Sequence, residues 1–279
     1  MATSGPLSGE SNTTIALGRD IMKRSVSFAL VSALVTGFAT SAAQADILFN
    51  DKFDDRSFSG WVPSGNNTAK IVNSPVRGGN YAAELKLDRL EDKVPTRTEL
   101  SLSKTKLEIG KEYWIGLSEY LHESWRFGAR EGAFVMQIHK RPDAGDASGK
   151  QPLTVGTKLG VWRLSIHFDA RSKSTKSSVG VKNFSLGTVN KGQWIDWVFH
   201  IKFSYQTNGL LEVWQNGKKV LTYNGPNCFN DKLGPYLKVG IYNPLWSNRS
   251  QGSPEDKLQL YVDEVKVGDQ SAGYGNVAP

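Results

Sequence analysis

From Asp46 to about Gly268 the chain never sustains a 3.6-residue apolar period. It is built instead of short segments alternating apolar and polar residues, broken by clusters of Gly, Asn, Pro and Asp. Successive strand residues point to opposite faces, so such segments can be half-buried strands but cannot hold one stripe against a core as helices. Candidate strands are Tyr81–Asp88, Thr96–Leu102, Tyr113–Leu121, Ala133–His139, Gly160–Phe168, Val179–Phe184, Trp194–Phe203, Gly209–Gln215, Val220–Tyr223, Tyr236–Tyr242 and Leu258–Val267. Asn216-Gly217 marks a two-residue hairpin, because a type I′ turn needs positive φ twice. Arg141 to Lys158 and Arg171 to Ser178 read as loops, and the end of the chain from Asp269 as a frayed tail. Many short strands with frequent turn signals define an all-β sandwich or jelly roll in a single domain.

The N-terminus reads as an address. Met22-Lys23-Arg24 is a positive n-region, Val26 to Phe38 a short apolar core, and Ala43-Gln44-Ala45 a small-residue cleavage site. The expected organisation is an upstream extension over 1–21, a signal peptide over 22–45, a β-jelly-roll domain over 46–268 and a flexible tail over 269–279. The product would be secreted or periplasmic. No run of about 18 apolar residues exists, so no membrane-spanning helix is expected. A lone cysteine, Cys228, rules out an internal disulfide and reads as packing.

The chain is basic, with a net charge of +7. Loss of residues 1–45 removes Arg19, Lys23, Arg24, Glu10 and Asp20 and leaves it basic. A basic protein attracts polyanions. With export, the expected partner is an acidic polysaccharide rather than nucleic acid or membrane, and the expected state is a monomer.

Four strands pair an apolar face with an unusual polar one. Thr98, Leu100 and Leu102 oppose Arg97 and Glu99; Phe134, Met136 and Ile138 oppose Gln137 and His139. Trp162, Leu164, Ile166 and Phe168 oppose Arg163, Ser165 and His167; Leu237, Val239 and Ile241 oppose Lys238, Gly240 and Tyr242. A merely solvated face tends towards Thr, Ser, Lys and Glu. This one collects groups that bind carboxylates and move protons.

Three of these segments carry a resemblance. Arg97-Thr98-Glu99-Leu100, Gln137-Ile138-His139 and Tyr236-Leu237-Lys238-Val239-Gly240-Ile241-Tyr242-Asn243 resemble, in order and spacing, motifs of jelly-roll polysaccharide lyases of the alginate, glucuronan and heparin lyase I types. The flanking Tyr113-Trp114-Ile115-Gly116-Leu117-Ser118, Trp194-Ile195-Asp196-Trp197-Val198 and Val213-Trp214-Gln215-Asn216-Gly217 are most similar to the heparin lyase I-like and glucuronan lyase group. The chain departs from the alginate lyase pattern at Ser101, where a second Arg is usual, and at Pro244, where Gln is usual. The resemblance implies a concanavalin A-like β-jelly-roll sandwich with one concave substrate groove.

The implied reaction is β-elimination, which removes the C5 proton of a uronate and expels the 4-O glycosidic oxygen. Arg97 and Gln137 would stabilise the carboxylate as negative charge develops on it. His139 and Tyr242 are the candidates for base and acid. If C5–H and O4 lie on one side of the ring, Tyr242 could serve both steps; if opposed, His139 would be base and Tyr242 acid. Lys238, Arg163, His167, Glu99, Lys140 and Arg141 are candidate substrate-binding residues, with Glu99 as an ion-pair partner for Arg97. Lys140, Arg141, Lys150 and Lys158 would form a cationic steering patch. Tyr120, Trp125 and Trp246 could stack on sugars or serve the core.

Two rivals use the same fold. A retaining glycosidase needs two carboxylates roughly 5 Å apart, typically as Glu-x-Asp-x-x-Glu, which the sequence lacks. A binding-only, lectin-like module would need no His–Tyr pair. The elimination requires no cofactor or metal. The acidic run Asn50-Asp51 to Asp54-Asp55, with Asp263, leaves room for a structural Ca²⁺.

Overall fold

A computed structural model describes residues 45–65, 69–88, 96–127, 132–146, 149–247 and 257–279. The upstream extension and all but the end of the signal segment lie outside the described residues. Two antiparallel sheets carry the fold. The first runs β13 (Lys218–Asn224), β12 (Leu210–Gln215), β11 (Trp194–Lys202), β6 (Glu112–Leu121), β15 (Lys257–Gly268), β4 (Ala82–Asp88) and β3 (Lys70–Val72), with β1 (Ile47–Asp51) also on β15. The second, which bears the site, runs β10 (Gly180–Thr188), β9 (Val161–Phe168), β8 (Leu153–Lys158), β7 (Phe134–Arg141), β14 (Leu233–Tyr242), β5 (Arg97–Ser101) and β2 (Val62–Gly65). This is the expected jelly-roll sandwich.

One core lies between the sheets. Ile115, Leu117, Phe199 and Val213 of the first sheet face Leu100, Leu164, Val239 and Ile241 of the second, all fully buried. Trp162 and Trp197 meet edge to face, with ring centroids 5.3 Å apart. The hairpin at Asn216-Gly217 forms as its sequence demands, with φ of 48° and 82° between β12 and β13. Cys228 is buried in the same core, and burial pushes its thiol pKa up.

Several expectations are corrected. Arg141 to Lys158 is not all loop: Leu153–Lys158 is β8, paired on both edges with β7 and β9. Leu153 and Val155 supply its core face, while Pro152 and Gly156 mask the strand signal. Strands β1, β2 and β3 are short and were not evident from alternation. The tail is not frayed: it folds into α1 (Tyr274–Val277), Val277 is buried, and Lys266 Nζ donates to Ala278 O at 3.1 Å. Among the described residues no helix is long and apolar enough to cross a membrane.

Candidate active site

The polar face of the second sheet forms a cleft of about 730 Å³ that crosses β5, β14, β7, β8, β9 and β10. Its lining includes Arg97, Gln137, His139, Arg163, His167 and Tyr242, contributed by four strands. Strand register explains why residues far apart in sequence meet. Tyr242 pairs with Arg97 on one side and Phe134 on the other, Phe134 with Gly156, and Gly156 with Arg163. A second row runs Lys238, Gln137, Thr154, Ser165 and Asn183.

Two bulges tune these rows. On β7 the register slips between Phe134 and Met136, so both Val135 and Met136 enter the core and Phe134 turns to the cleft. Strict alternation had placed Phe134 with the apolar face. On β14 the register slips between Val239 and Tyr242, and Gly240 there has φ +126°. A Cβ at Gly240 would lie 2.4 Å from Thr98 O, so glycine is required by both conformation and space. The slip delivers the Tyr242 ring beside Phe134, with centroids 5.9 Å apart, and beneath the Arg97 guanidinium at 4.6 Å.

His139 is set up as a neutral imidazole. Its Nδ1 lies 2.9 Å from Lys140 O, and since a carbonyl only accepts, Nδ1 carries the proton and Nε2 keeps its lone pair. Burial holds its pKa down to about 4, assisted by the charges of Lys238, Arg97 and Lys140 and opposed by the Lys140 carbonyl. His167 repeats the arrangement, with Nδ1 2.9 Å from Gln151 O, and burial lowers its pKa as well.

Gln137 is anchored from below. Its Nε2 donates to Glu99 Oε1 at 2.5 Å, and Lys238 Nζ sits 2.5 Å from Glu99 Oε2. Glu99 and Lys238 are 2 % and 4 % exposed. This corrects two expectations. Glu99 pairs with Lys238 and Gln137 rather than Arg97, and Lys238, though on the expected face, is a buried partner beneath the cleft lining rather than an exposed cation. Carboxylate and ammonium compensate each other there, as buried charges must.

The expected steering patch divides. Lys150 and Lys158 line the cleft. Lys140 does not: it is 3 % exposed, lies 3.1 Å from Asp146 Oδ2 and 4.4 Å from the Phe229 ring centroid, and points away from the cleft face. It alternates with His139, and alternation puts it on the core side. Arg141 is also committed, donating to Gly234 O and Ser103 O at 2.5 Å and to Pro235 O at 3.0 Å. Trp125 and Trp246 belong to the core, each 1 % exposed, and Tyr120 lies in the first sheet.

The lining residues that sequence reasoning missed are Gln151, Thr154, Asn183 and Phe134. Ser165 Oγ donates to Asn183 Oδ1 at 2.7 Å on the cleft surface. Alternation puts Ser165 on this face with Arg163 and His167, as the sequence indicates, and Asn183 is the residue opposite it on β10. No Asp or Glu is among the described residues lining the cleft, whereas Arg97, Lys150, Lys158 and Arg163 are.

The acidic residues considered for Ca²⁺ are individually satisfied. Asp51 accepts from Phe53 N and Trp61 Nε1, Asp54 from Asn80 N, and Asp263 from Arg77, Gly78 and Glu264 N–H groups. Among the described residues no group of three or more His, Cys, Asp or Glu is placed to hold a metal ion.

A two-sheet jelly roll whose concave face presents arginine, glutamine, histidine and tyrosine to a cation-lined cleft defines a carbohydrate-active β-sandwich. The model of the family described as "Polysaccharide lyase" matches residues 50–266, and the chain belongs to that family of enzymes. No curated protein matches the sequence. Among solved structures it is similar to an endo-β-1,4-glucuronan lyase from the fungus Trichoderma reesei. That match has 21 % identity and a TM-score of 0.70, over 79 % of this chain and 94 % of that one. It is also similar to the cellulose induced protein Cip1, with 14 % identity, TM-score 0.51 and coverage of 80 % and 97 %. A carbohydrate esterase from Shiga toxin-encoding bacteriophage phi24B matches at 12 % identity and TM-score 0.52, covering 81 % and 99 %. A lyase and an esterase on one fold illustrate that the fold alone does not choose the chemistry.

Proposed function

We propose that the protein is an exported lyase that cuts an acidic, uronate-containing polysaccharide by β-elimination, leaving 4,5-unsaturated uronate ends. The observation that carries this reading is the convergence of Arg97, Gln137, His139 and Tyr242 on a cleft lined by cations and, among its described residues, by no carboxylate. Export rests on the Met22–Ala45 segment.

Each residue has a task that its surroundings suit. The C5 proton of a uronate is poorly acidic while the adjacent carboxylate is ionised, because deprotonation creates a second negative charge. Arg97 and the second N–H of Gln137 would bind that carboxylate and stabilise the enolate. Glu99 holds Gln137 by its first N–H and so aims the second. Neutral His139 offers Nε2 as proton acceptor, and the Tyr242 hydroxyl is the donor to the departing O4 where C5–H and O4 are opposed. Where they lie on one side, Tyr242 serves both steps and His139 stays at the carboxylate. Arg163 and His167, farther along the cleft, would bind neighbouring sugars, with Lys150 and Lys158 at the rim drawing in the polyanion. No step calls for a metal or organic cofactor, and the protein would act as a monomer.

The test is a panel of purified polyuronates read by the ultraviolet absorbance of the new C4=C5 bond. Glucuronan, the polymer named for the structural relative, heads the panel, followed by alginate and heparin-type chains. Unsaturated product from at least one supports the reading, and none from any polyuronate overturns it. Neutral glucans should give nothing.

A further inference from the structure

One residue outside all of these roles touches both cleft histidines through their hydrogen-bond partners. Gln151 stands just before β8, where the β7–β8 ladder ends at Ile138 and Leu153. Its side-chain Oε1 accepts the Lys140 N–H at 3.0 Å, taking the place of the next main-chain carbonyl. That N–H belongs to the residue whose carbonyl accepts the His139 Nδ1–H. The main-chain carbonyl of Gln151 itself accepts the His167 Nδ1–H. Its Nε2 donates to Gly149 O at 3.1 Å, so the amide orientation is fixed from both ends.

Lys140 is held at its other end too. Its ammonium meets Asp146 Oδ2, and Asp146 Oδ1 accepts the Ser174 N–H at 2.8 Å. Lys140 is thus tied through both its ammonium and its backbone N–H, and its carbonyl faces the imidazole. A neutral histidine has two tautomers of similar energy, and the acceptor facing one nitrogen selects between them. Both histidines here face carbonyls with Nδ1; Gln151 supplies one of these carbonyls and holds the N–H of the residue that supplies the other.

We propose that Gln151 is a positioning residue that sets His139 and His167 together in the Nδ1–H tautomer, presenting two Nε2 lone pairs to the glycan. The catalytic consequence rests on the reading of His139 as a proton-transfer group, but the tautomer claim does not. The charged and titratable groups around His139 are Arg97 from β5, Lys238 and Tyr236 from β14 and Lys140 from its own strand; Lys150 faces His167. None is a carboxylate that could select the tautomer in place of the carbonyls.

The experiment combines ¹⁵N-detected imidazole spectra of the free protein with kinetics on whichever polyuronate the wild type cleaves. The wild type should show Nδ1–H at both histidines. Gln151→Met, which keeps the length and the main-chain carbonyl but loses the side-chain acceptor for Lys140 N–H, should give mixed tautomers at His139 and leave His167 in the Nδ1–H form. Its kcat should fall roughly ten- to a hundredfold through misplacement of the base, with KM little changed and the acid limb of its pH profile displaced. Gln151→Glu retains Oε1 and should restore the His139 tautomer. Nε2–H at either histidine in the wild type overturns the proposal, and that measurement needs no variant. Unchanged spectra in a folded Gln151→Met protein overturn it equally. If the spectra behave as expected but His139→Ala retains full activity, the assignment of His139 fails while the role of Gln151 in setting the tautomer stands.

Discussion

The two sheets carry histidines in opposite circumstances. On the first sheet, His200 of β11 lies flat on Trp114, with centroids 4.1 Å apart, and both ring nitrogens face carboxylates: Nδ1 is 3.0 Å from Glu212 Oε2 and Nε2 3.2 Å from Glu112 Oε2. On the second sheet, His139 and His167 each spend one nitrogen on a backbone carbonyl and present the other to a cleft whose described lining holds no carboxylate. All three sit on polar faces of alternating strands. What separates them is whether the hydrogen-bond capacity is exhausted. A histidine saturated by two carboxylates is a structural cross-link; one with a fixed Nδ1–H and an unspent Nε2 can accept a proton.

The largest effect is expected at the cleft itself. Tyr242→Phe keeps the ring that packs on Phe134 and under Arg97 while removing its proton. We expect kcat to fall at least about 100-fold, the lower end of general acid–base contributions, and glycan binding to persist. His139→Ala should fall comparably. A folded Tyr242→Phe enzyme releasing unsaturated product at the wild-type rate would move the proton donor elsewhere on this sheet, with His167 the next candidate.

Arg163 should matter less and differently. It lies three strands from Tyr242 in one cross-strand row, about 14 Å at the usual strand spacing. A 1,4-linked pyranose advances by about one strand spacing, so Arg163 would reach a carboxylate a few sugars from the bond being cut. Arg163→Ala should raise KM for long chains roughly tenfold, the worth of one charged hydrogen bond, and leave kcat and the turnover of the shortest cleavable oligomer unchanged. An equal loss on short and long substrates would place Arg163 in the reacting subsite instead.

The same comparison shows what the sequence could and could not disclose. Alternation correctly separated the faces of β5, β9 and β14, because each buries a complete apolar face. It failed on β7, where a bulge sends Val135 inward and Phe134 outward, since a bulge leaves no mark on composition. Lys140 and Arg141 read as a basic patch, yet Lys140 folds back on Asp146 in the following loop, and Arg141 is held by the Gly234, Pro235 and Ser103 carbonyls, which lie far off in sequence and are invisible to local pattern. Glu99 was found, but its choice of Lys238 over Arg97 depends on which cation is desolvated with it. Gln151 escaped altogether, because its role is carried partly by a main-chain carbonyl.

Between the sheets lies a different acid. Glu119 of β6 is fully buried, with Oε2 accepting from Trp197 Nε1 at 3.1 Å and Oε1 without a hydrogen-bond partner among the described residues, and burial raises its pKa to about 8. The folded state therefore holds a proton that the unfolded state releases near its ordinary 4.5. Stability from this group is fully present below that pH, falls as pH rises towards about 8, and levels off above it. Glu119→Gln keeps a polar partner for Trp197 and abolishes the titration. It should flatten the decline, raising Tm at pH above 8 by on the order of 5 °C, without changing kcat at neutral pH. An identical Tm–pH slope in both proteins would mean that the buried carboxyl is not the titrating group.

The smallest effect is expected at His200, and it tests the comparison most directly. If histidines on this fold were functional by position alone, His200 would qualify: it is partly buried, flanked by Glu112 and Glu212 and stacked on an indole. But both nitrogens are engaged, and it lies on a different sheet from the cleft. His200→Ala removes two partly exposed ion-pair contacts and one stacking contact, at a cost of about 1 kcal/mol in stability. Lys219, which lies 2.5 Å from Glu212 Oε1, would still neutralise that carboxylate. Product release by His200→Ala should stay within roughly twofold of wild type, the scatter expected of a surface substitution away from the site. A loss of the size expected for His139→Ala, in a protein that melts normally, would show that unspent hydrogen-bond capacity is not what distinguishes the catalytic histidine, and would bring the first sheet into the reaction.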